Sequence, residues 1–148
     1  MEAHGQVSFT RLTACLTLGA CAIAAPALAD PCKAIPDRGP MPTYLRKGAV
    51  FSGPVRYVGD GDSLCVGASA DPATWIEVRL ADWYAPELHE PSGPAAKVAL
   101  EQVTKGHLLT CTADHRSYDR VVAACRIGAR SVGDLIRATG AVAGGRGR

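Results

Sequence analysis

Apolar and polar residues alternate along several short stretches of the chain, a pattern typical of β-strands that bury one face. In the clearest stretch, Ile76, Val78 and Leu80 alternate with polar or amphipathic neighbours. The other stretches are short, apolar and bounded by turn residues. We therefore predict five strands, at roughly residues 55–58, 63–69, 74–82, 108–113 and 120–127.

Two other stretches follow the helical period. Residues 95–103 place apolar side chains on one face of a helix that Gly106 closes, and a shorter helix is predicted over 132–139. Between the first two strands, Asp60-Gly61 predicts a tight hairpin turn, because glycine accepts the positive φ that such a turn needs. The first two strands should therefore form a hairpin.

The predicted order of elements contains no parallel-sheet crossover: it is three strands, a helix, two strands and a helix. This order predicts a mainly β fold with short helices, a small five-stranded barrel of the OB-fold kind. Residues rich in Pro, Gly and charge precede it, and we assign them no helix. The predicted organisation is an irregular N-terminal arm over 30–52, one domain over 53–143 and a tail over 144–148.

The first residues predict a targeting segment instead of part of the fold. Arg11 precedes an apolar run over 12–25, and Ala27-Leu28-Ala29 is a small-residue cleavage site. We expect cleavage after Ala29 and a secreted or periplasmic protein. A lipoprotein cleavage box ending at Cys21 is the alternative, and we rank it below simple export. No later stretch approaches the roughly 20 apolar residues of a membrane span.

The net charge of +2 is only mildly basic. It permits contact with a polyanion, but it lacks the dense Lys/Arg stripe of dedicated nucleic-acid binders. Composition therefore names no partner, and no protein partner is inferred.

Four cysteines remain after the predicted leader, an even set that suggests two disulfides. If the last two strands form a hairpin centred near Tyr118, Cys111 and Cys125 face each other at the separation a disulfide bridges. Cys32 and Cys65 pair by elimination. No Cys-x-x-Cys spacing occurs and the histidines are scattered, so a structural zinc site is not predicted.

Three polar motifs occur in order along the chain. They are Asp60-Gly61-Asp62-Ser63, the stretch from Arg79-Leu80 to Ala85-Pro86-Glu87, and Tyr118-Asp119-Arg120 before a small apolar strand. With the helix start Gly93-x-x-Ala96 between the last two, they resemble the staphylococcal-nuclease (thermonuclease) family over roughly residues 54–143. The resemblance implies an OB-fold-like barrel of the staphylococcal nuclease type.

The resemblance also implies hydrolysis of DNA or RNA phosphodiesters, assisted by calcium. Arg79 and Arg120 would grip the phosphate, a task that suits the planar, permanently charged guanidinium group. Glu87 would position or deprotonate the attacking water. Asp62 would bind calcium, and Tyr118 would touch a nucleotide phosphate.

The chain departs from the family pattern at the calcium site. Tyr84 stands where the family has its second aspartate ligand, and a neutral phenol is a poor donor for a hard cation. Asp82 is a possible substitute, and Ala85 would still supply a main-chain carbonyl. We expect a weakened calcium site. Asp119 replaces the usual glycine, and aspartate tolerates left-handed backbone better than most residues.

Simpler interpretations stay open for each motif. Asp60 to Ser63 is compatible with a plain hairpin turn, and Arg79 with a solvated strand position paired to Glu77 or Glu101. The rival function is a catalytically weak or inactive OB-fold module that binds oligonucleotide or another envelope ligand. Three histidines are assigned to the surface: His89, His107 and His115.

Overall fold

A computed structural model describes residues 30–145 of the chain. The predicted leader, its cleavage site after Ala29 and the alternative box at Cys21 lie outside the described residues. The elements are β1 (Val50–Val58), β2 (Ser63–Val66), β3 (Ile76–Leu80), α1 (Gly93–Thr104), β4 (Leu108–Ser117), β5 (Arg120–Ile127), β6 (Arg130–Ser131) and α2 (Val132–Ala138). The mainly β fold with two short helices is thus confirmed.

Five of the strands form a closed ring. Antiparallel pairs join the strands in the order β3-β2-β1-β4-β5, and β6 extends β5 as a short hairpin. The ring closes through β3 and β5, which pair in parallel with Val78 opposite Val121. The expectation of no parallel connection was wrong at this one pair. The long connection through α1 and β4 returns the chain beside β3 in the same direction.

The first strand is longer than predicted. It begins at Val50, inside the predicted arm, and runs through Gly53 and Pro54 opposite Leu109 and Leu108 of β4. Pro54 stays in the strand because its carbonyl accepts a hydrogen bond from the Gly67 N–H, at 3.2 Å, and this pairing needs no donor from proline. The arm itself contains one turn of 3₁₀-helix, Thr43–Leu45, where no helix was expected.

Gly61 is required for a reason other than the predicted one. The β1–β2 hairpin is present, but its loop spans residues 59–62, and Gly61 is absent from the positive-φ residues of the described chain. A Cβ at Gly61 would lie 2.4 Å from the Ala85 Cβ and 2.7 Å from the Ala96 Cβ. Glycine is therefore needed so that the loop packs closely against α1 and residue 85.

The β4–β5 hairpin holds one of the two disulfides. Cys111 lies opposite Cys125 and bonds to it, as the symmetric spacing predicts. The turn differs in detail, because the left-handed residue is Tyr118, with φ of 60°, and not Asp119. The second bridge, Cys32–Cys65, confirms the pairing by elimination and fixes the arm to β2. Two disulfides are typical of proteins in an oxidising, extracellular or periplasmic environment.

The core fills the inside of the ring and is completed by the two helices and the arm. Its members alternate along the strands with residues of the opposite face, as the sequence pattern predicts for β3. The largest fully buried side chain belongs to Trp83, whose indole N–H donates to the Gly61 carbonyl at 3.0 Å. None of the helices within residues 30–145 combines the length and the apolarity that a bilayer crossing requires.

Removing either disulfide should lower the free energy of unfolding. Loop-closure entropy gives about 3 kcal/mol for Cys111–Cys125 and about 4 kcal/mol for Cys32–Cys65, which closes the longer loop of the two. Urea unfolding of the two double alanine variants, under non-reducing conditions, measures both losses. A loss below about 1 kcal/mol in both variants would contradict this account of what stabilises the small ring.

Candidate functional site

A cavity of about 470 Å³ opens on the outer face of β3 and β5, the face that points away from the core. Its walls come from the two strands, from the end of β4 and from the loop after β3. Six of its lining residues matter for chemistry: Arg79, Tyr84, Glu87, His115, Tyr118 and Arg120. The fold thus brings the two predicted arginines, the glutamate and the tyrosine to one cavity.

Strand register explains why the arginines share this face. Arg79 on β3 lies opposite Ser63 on β2 and opposite Val122 on β5. Arg120 precedes Val122 by two residues, so both side chains leave β5 on the same side. The Arg120 Nη1 donates to the Ser63 Oγ at 3.1 Å. Ser63 therefore stands between the two guanidinium groups.

Arg79 is held by a buried carboxylate. Its Nε lies 3.1 Å from the Asp62 Oδ1, and only 16% of its side chain is exposed. Its Cζ lies 5.6 Å from the centre of the Tyr84 ring, a distance at which the ring face attracts a cation. Asp62 is thus a partner of Arg79, one that the sequence had not suggested. Arg79 is thus held by its neighbours while it lines the cavity.

The loop after β3 carries Glu87 to the cavity rim. Trp83 is buried in the core, so the next residue, Tyr84, turns outward into the cavity wall. Further along, a Cβ at Gly93 would lie 1.9 Å from the Glu87 carbonyl oxygen. Only glycine allows α1 to begin so close to the main chain of Glu87. Gly93, the glycine at the start of α1, therefore allows the close contact that positions Glu87.

His115 is a cavity residue that the sequence did not indicate. A β-bulge in β4 sets Ala113 opposite Ala123 but His115 opposite Val122, so two steps along β4 match one step along β5. The bulge sets His115 on the outer face, where it is exposed, so its assignment to the surface is confirmed. Its Nδ1 lies 2.9 Å from the Asp114 Oδ2. Tyr118, 83% exposed, stands at the rim in the adjoining turn.

The oxygens expected to bind calcium are engaged elsewhere. Asp62 is only 4% exposed; its Oδ1 faces Arg79 and its Oδ2 accepts the Ala85 N–H at 2.8 Å. The Ala85 carbonyl is covered, since a Cβ at Gly145 would lie 2.0 Å from that oxygen. Together with a phenol at Tyr84, this donor set does not fit a calcium ion.

Asp82 also serves a different purpose. Its Oδ2 accepts the Ser131 Oγ–H at 2.6 Å, and its carbonyl accepts a hydrogen bond from Arg137. Ser131 in turn caps α2 by accepting the Asp134 N–H at 3.0 Å. Asp82 therefore anchors the second helix, and it is not among the residues that line the cavity.

Burial perturbs Asp62. Burial raises its pKa to about 6, and Asp60 adds to the rise, whereas the hydrogen bond from Ala85 and the Arg79 charge act in the opposite direction. Burying a carboxylate is unfavourable unless it is paired and hydrogen-bonded, and both conditions are met here. The carboxylate is best understood as the group that orients Arg79.

No protein-family model matches the chain, and no curated protein matches it.

Because the pKa of Asp62 is raised in the folded protein, the free energy of unfolding should fall as the pH rises through the range in which Asp62 titrates. An unfolded aspartate loses its proton near pH 3.8 and the folded Asp62 near pH 6, so the folded state keeps the proton to a higher pH. The free energy of unfolding should drop by up to about 3 kcal/mol across this range because of Asp62. Asp62→Asn should remove that part of the drop in urea titrations at several pH values. An unchanged slope in Asp62→Asn, with the same urea m value, would contradict it.

Proposed function

We propose that the protein is a thermonuclease-like phosphodiesterase that hydrolyses DNA, RNA or both in the cell envelope or outside the cell. The observation that supports this most is that Arg79, Arg120 and Glu87 line one cavity of a size that admits a phosphodiester. The closed ring of five strands also agrees with an OB-fold-like barrel of the staphylococcal nuclease type, which we propose as the finer fold class.

The two arginines bind the phosphate in this proposal. A guanidinium group offers paired donors to phosphate oxygens and stays charged, and charge grows on those oxygens in the transition state. Both groups are held in place before substrate arrives, Arg79 by Asp62 and Arg120 by the Ser63 hydroxyl. Such preorganisation lets them stabilise the transition state without moving. Tyr118 meets a neighbouring phosphate at the exposed rim.

Glu87 and His115 move the protons. The water oxygen forms a bond to phosphorus, its proton passes to the Glu87 carboxylate, and the phosphorus bond to the leaving sugar oxygen breaks. The leaving sugar oxygen takes up a proton, and we assign His115 as its donor. The His115 ring lines the same cavity, and Asp114 holds that ring through Nδ1. No step is routed through calcium, since the donors around Asp62 do not fit the ion.

One specific observation favours the rival function, a binding module without catalysis. Tyr84 replaces a carboxylate in the cavity wall, and the mostly exposed Tyr118 ring offers a surface for stacking a base. Such a module would bind single-stranded oligonucleotides through the same cavity and leave them intact. Binding without cleavage by the purified protein is the result that would select it.

Substitutions in the cavity should slow the cleavage of single-stranded DNA. Arg120→Lys keeps the charge but loses the paired donors, and Glu87→Gln loses the base, so each should slow cleavage by about 100-fold or more. Arg130→Lys is the matched control, because Arg130 is exposed on β6 and is not among the residues that line the cavity. It should keep the wild-type rate.

The assay is gel electrophoresis of labelled DNA and RNA, each with calcium and with chelator. The hydrolytic function would be ruled out if the wild type cleaved neither substrate in any condition while circular dichroism showed that it was folded.

His115→Gln should slow cleavage selectively. A general acid helps a sugar oxygen leave, whereas a nitrophenolate leaves without a proton, so the loss should be on the order of 100-fold for DNA and small for a nitrophenyl phosphodiester. His107→Gln, at an exposed histidine that is not among the cavity residues, is the control. Equal losses on both substrates would mean that His115 acts only by binding or by packing.

A further inference from the structure

Three carboxylates from distant parts of the chain meet beside the cavity. Asp30 belongs to the arm, Glu77 to β3 and Asp119 to the β4–β5 turn, and one oxygen of each lies within 4.8 Å of the others. The strand register explains part of this meeting. The Val78 and Val121 pair sets the preceding residues, Glu77 and Arg120, side by side on the outer face.

The disulfide of the arm brings the third carboxylate. Cys65 lies opposite Glu77 in the β2–β3 pair, and it is bonded to Cys32. The Cys32 N–H donates to the Asp30 Oδ1 at 2.9 Å, which fixes this carboxylate two residues before the bridge. The arm therefore lies over Glu77 and presents Asp30 to it.

One oxygen of the nearly buried Glu77 carboxylate has no hydrogen-bonding partner among the described residues. The residue is 9% exposed, and its Oε2 is fully buried with no hydrogen bond from any described residue. A lone buried carboxylate oxygen is costly, because it has lost water and gained nothing in return. Glu77 also contributes one carboxylate oxygen to the group of three that lies within 4.8 Å, so its side chain is directed into the cluster.

The Glu77 carboxyl lies among other negative groups. Burial, followed by the Asp30 and Asp119 charges, raises its pKa to about 8. Arg120 is the positive neighbour that acts in the opposite direction, and Asp60 is a further negative one. The Arg120 guanidinium group beside Glu77 also donates to the Ser63 hydroxyl.

We propose that Asp30, Glu77 and Asp119 form a binding site for a hard divalent cation of the Ca²⁺, Mg²⁺ and Mn²⁺ class. All three ligands are carboxylate oxygens, which these ions prefer, and water fills the remaining positions. Asp30 and Asp119 are half-buried, so an ion reaches the cluster from solvent. The site is separate from Asp62 and rests on other residues than the proposed cleavage does. A bound ion would join the arm, β3 and the turn that carries Tyr118.

The test is direct binding of Mn²⁺ to the chelator-treated protein, measured by isothermal titration calorimetry and by the electron paramagnetic resonance signal of free Mn²⁺. The wild type should bind one ion. Glu77→Gln and Asp119→Asn should each weaken binding by at least about tenfold, since affinity follows the number of charged ligands. Asp37→Asn removes the same charge from an exposed part of the arm and should bind like the wild type.

Two outcomes overturn the site: no Mn²⁺ binding by the folded wild type, or equal binding by the wild type and both substituted proteins. Glu77→Gln keeps the size of a buried side chain, and Asp119→Asn lies in a turn, so two independent variants guard against a folding defect. Glu87→Gln should still bind Mn²⁺, whatever its effect on cleavage. A failed cation site and a failed nuclease are thereby told apart.

Discussion

The parallel pairing of β3 with β5 is the constraint on which both the ring and the cavity depend. It closes the ring, so that the aliphatic residues of both strands share one core. The same register sets Arg79 opposite Val122 and leaves Arg120 two residues away on the same face. The backbone hydrogen bonds between β3 and β5 therefore position the core residues on the inner face of the ring and the two arginines on the outer face.

A buried carboxylate adds orientation to that placement. Asp62 accepts the Ala85 N–H and pairs with Arg79, and its own loop can pack there only because Gly61 has no side chain. In this arrangement the Asp62 carboxylate orients the Arg79 side chain. Tyr84 adds to this arrangement, because its ring faces the Arg79 guanidinium group. The chemistry proposed for the cavity consequently relies on its two arginines and on Glu87.

The N-terminal arm is part of the site region as well as a connection. The Cys32–Cys65 bridge joins it to β2, and its own apolar residues Ile35 and Leu45 complete the core. Since the bridge lies next to Glu77 in the sheet, it also holds the arm where Asp30 meets the carboxylate cluster. Stability of the small ring and the proposed cation site therefore share one covalent link.

The sequence by itself determined the features that depend on local pattern. Alternation gave the core face of β3, the helical period gave both helices, and equal spacing about Tyr118 gave the Cys111–Cys125 pair. It also indicated Arg79, Glu87 and Arg120 as a set, through a resemblance to the motifs of a known family, but not their neighbours. Tertiary structure alone decided the parallel closure, the bulge that moves His115 to the outer face and the engagement of Asp62 by Arg79. Periodicity records which face a residue takes relative to its neighbours in the chain. It carries no information on which distant strand lies alongside, and that contact fixes the partners of every charged group in the site.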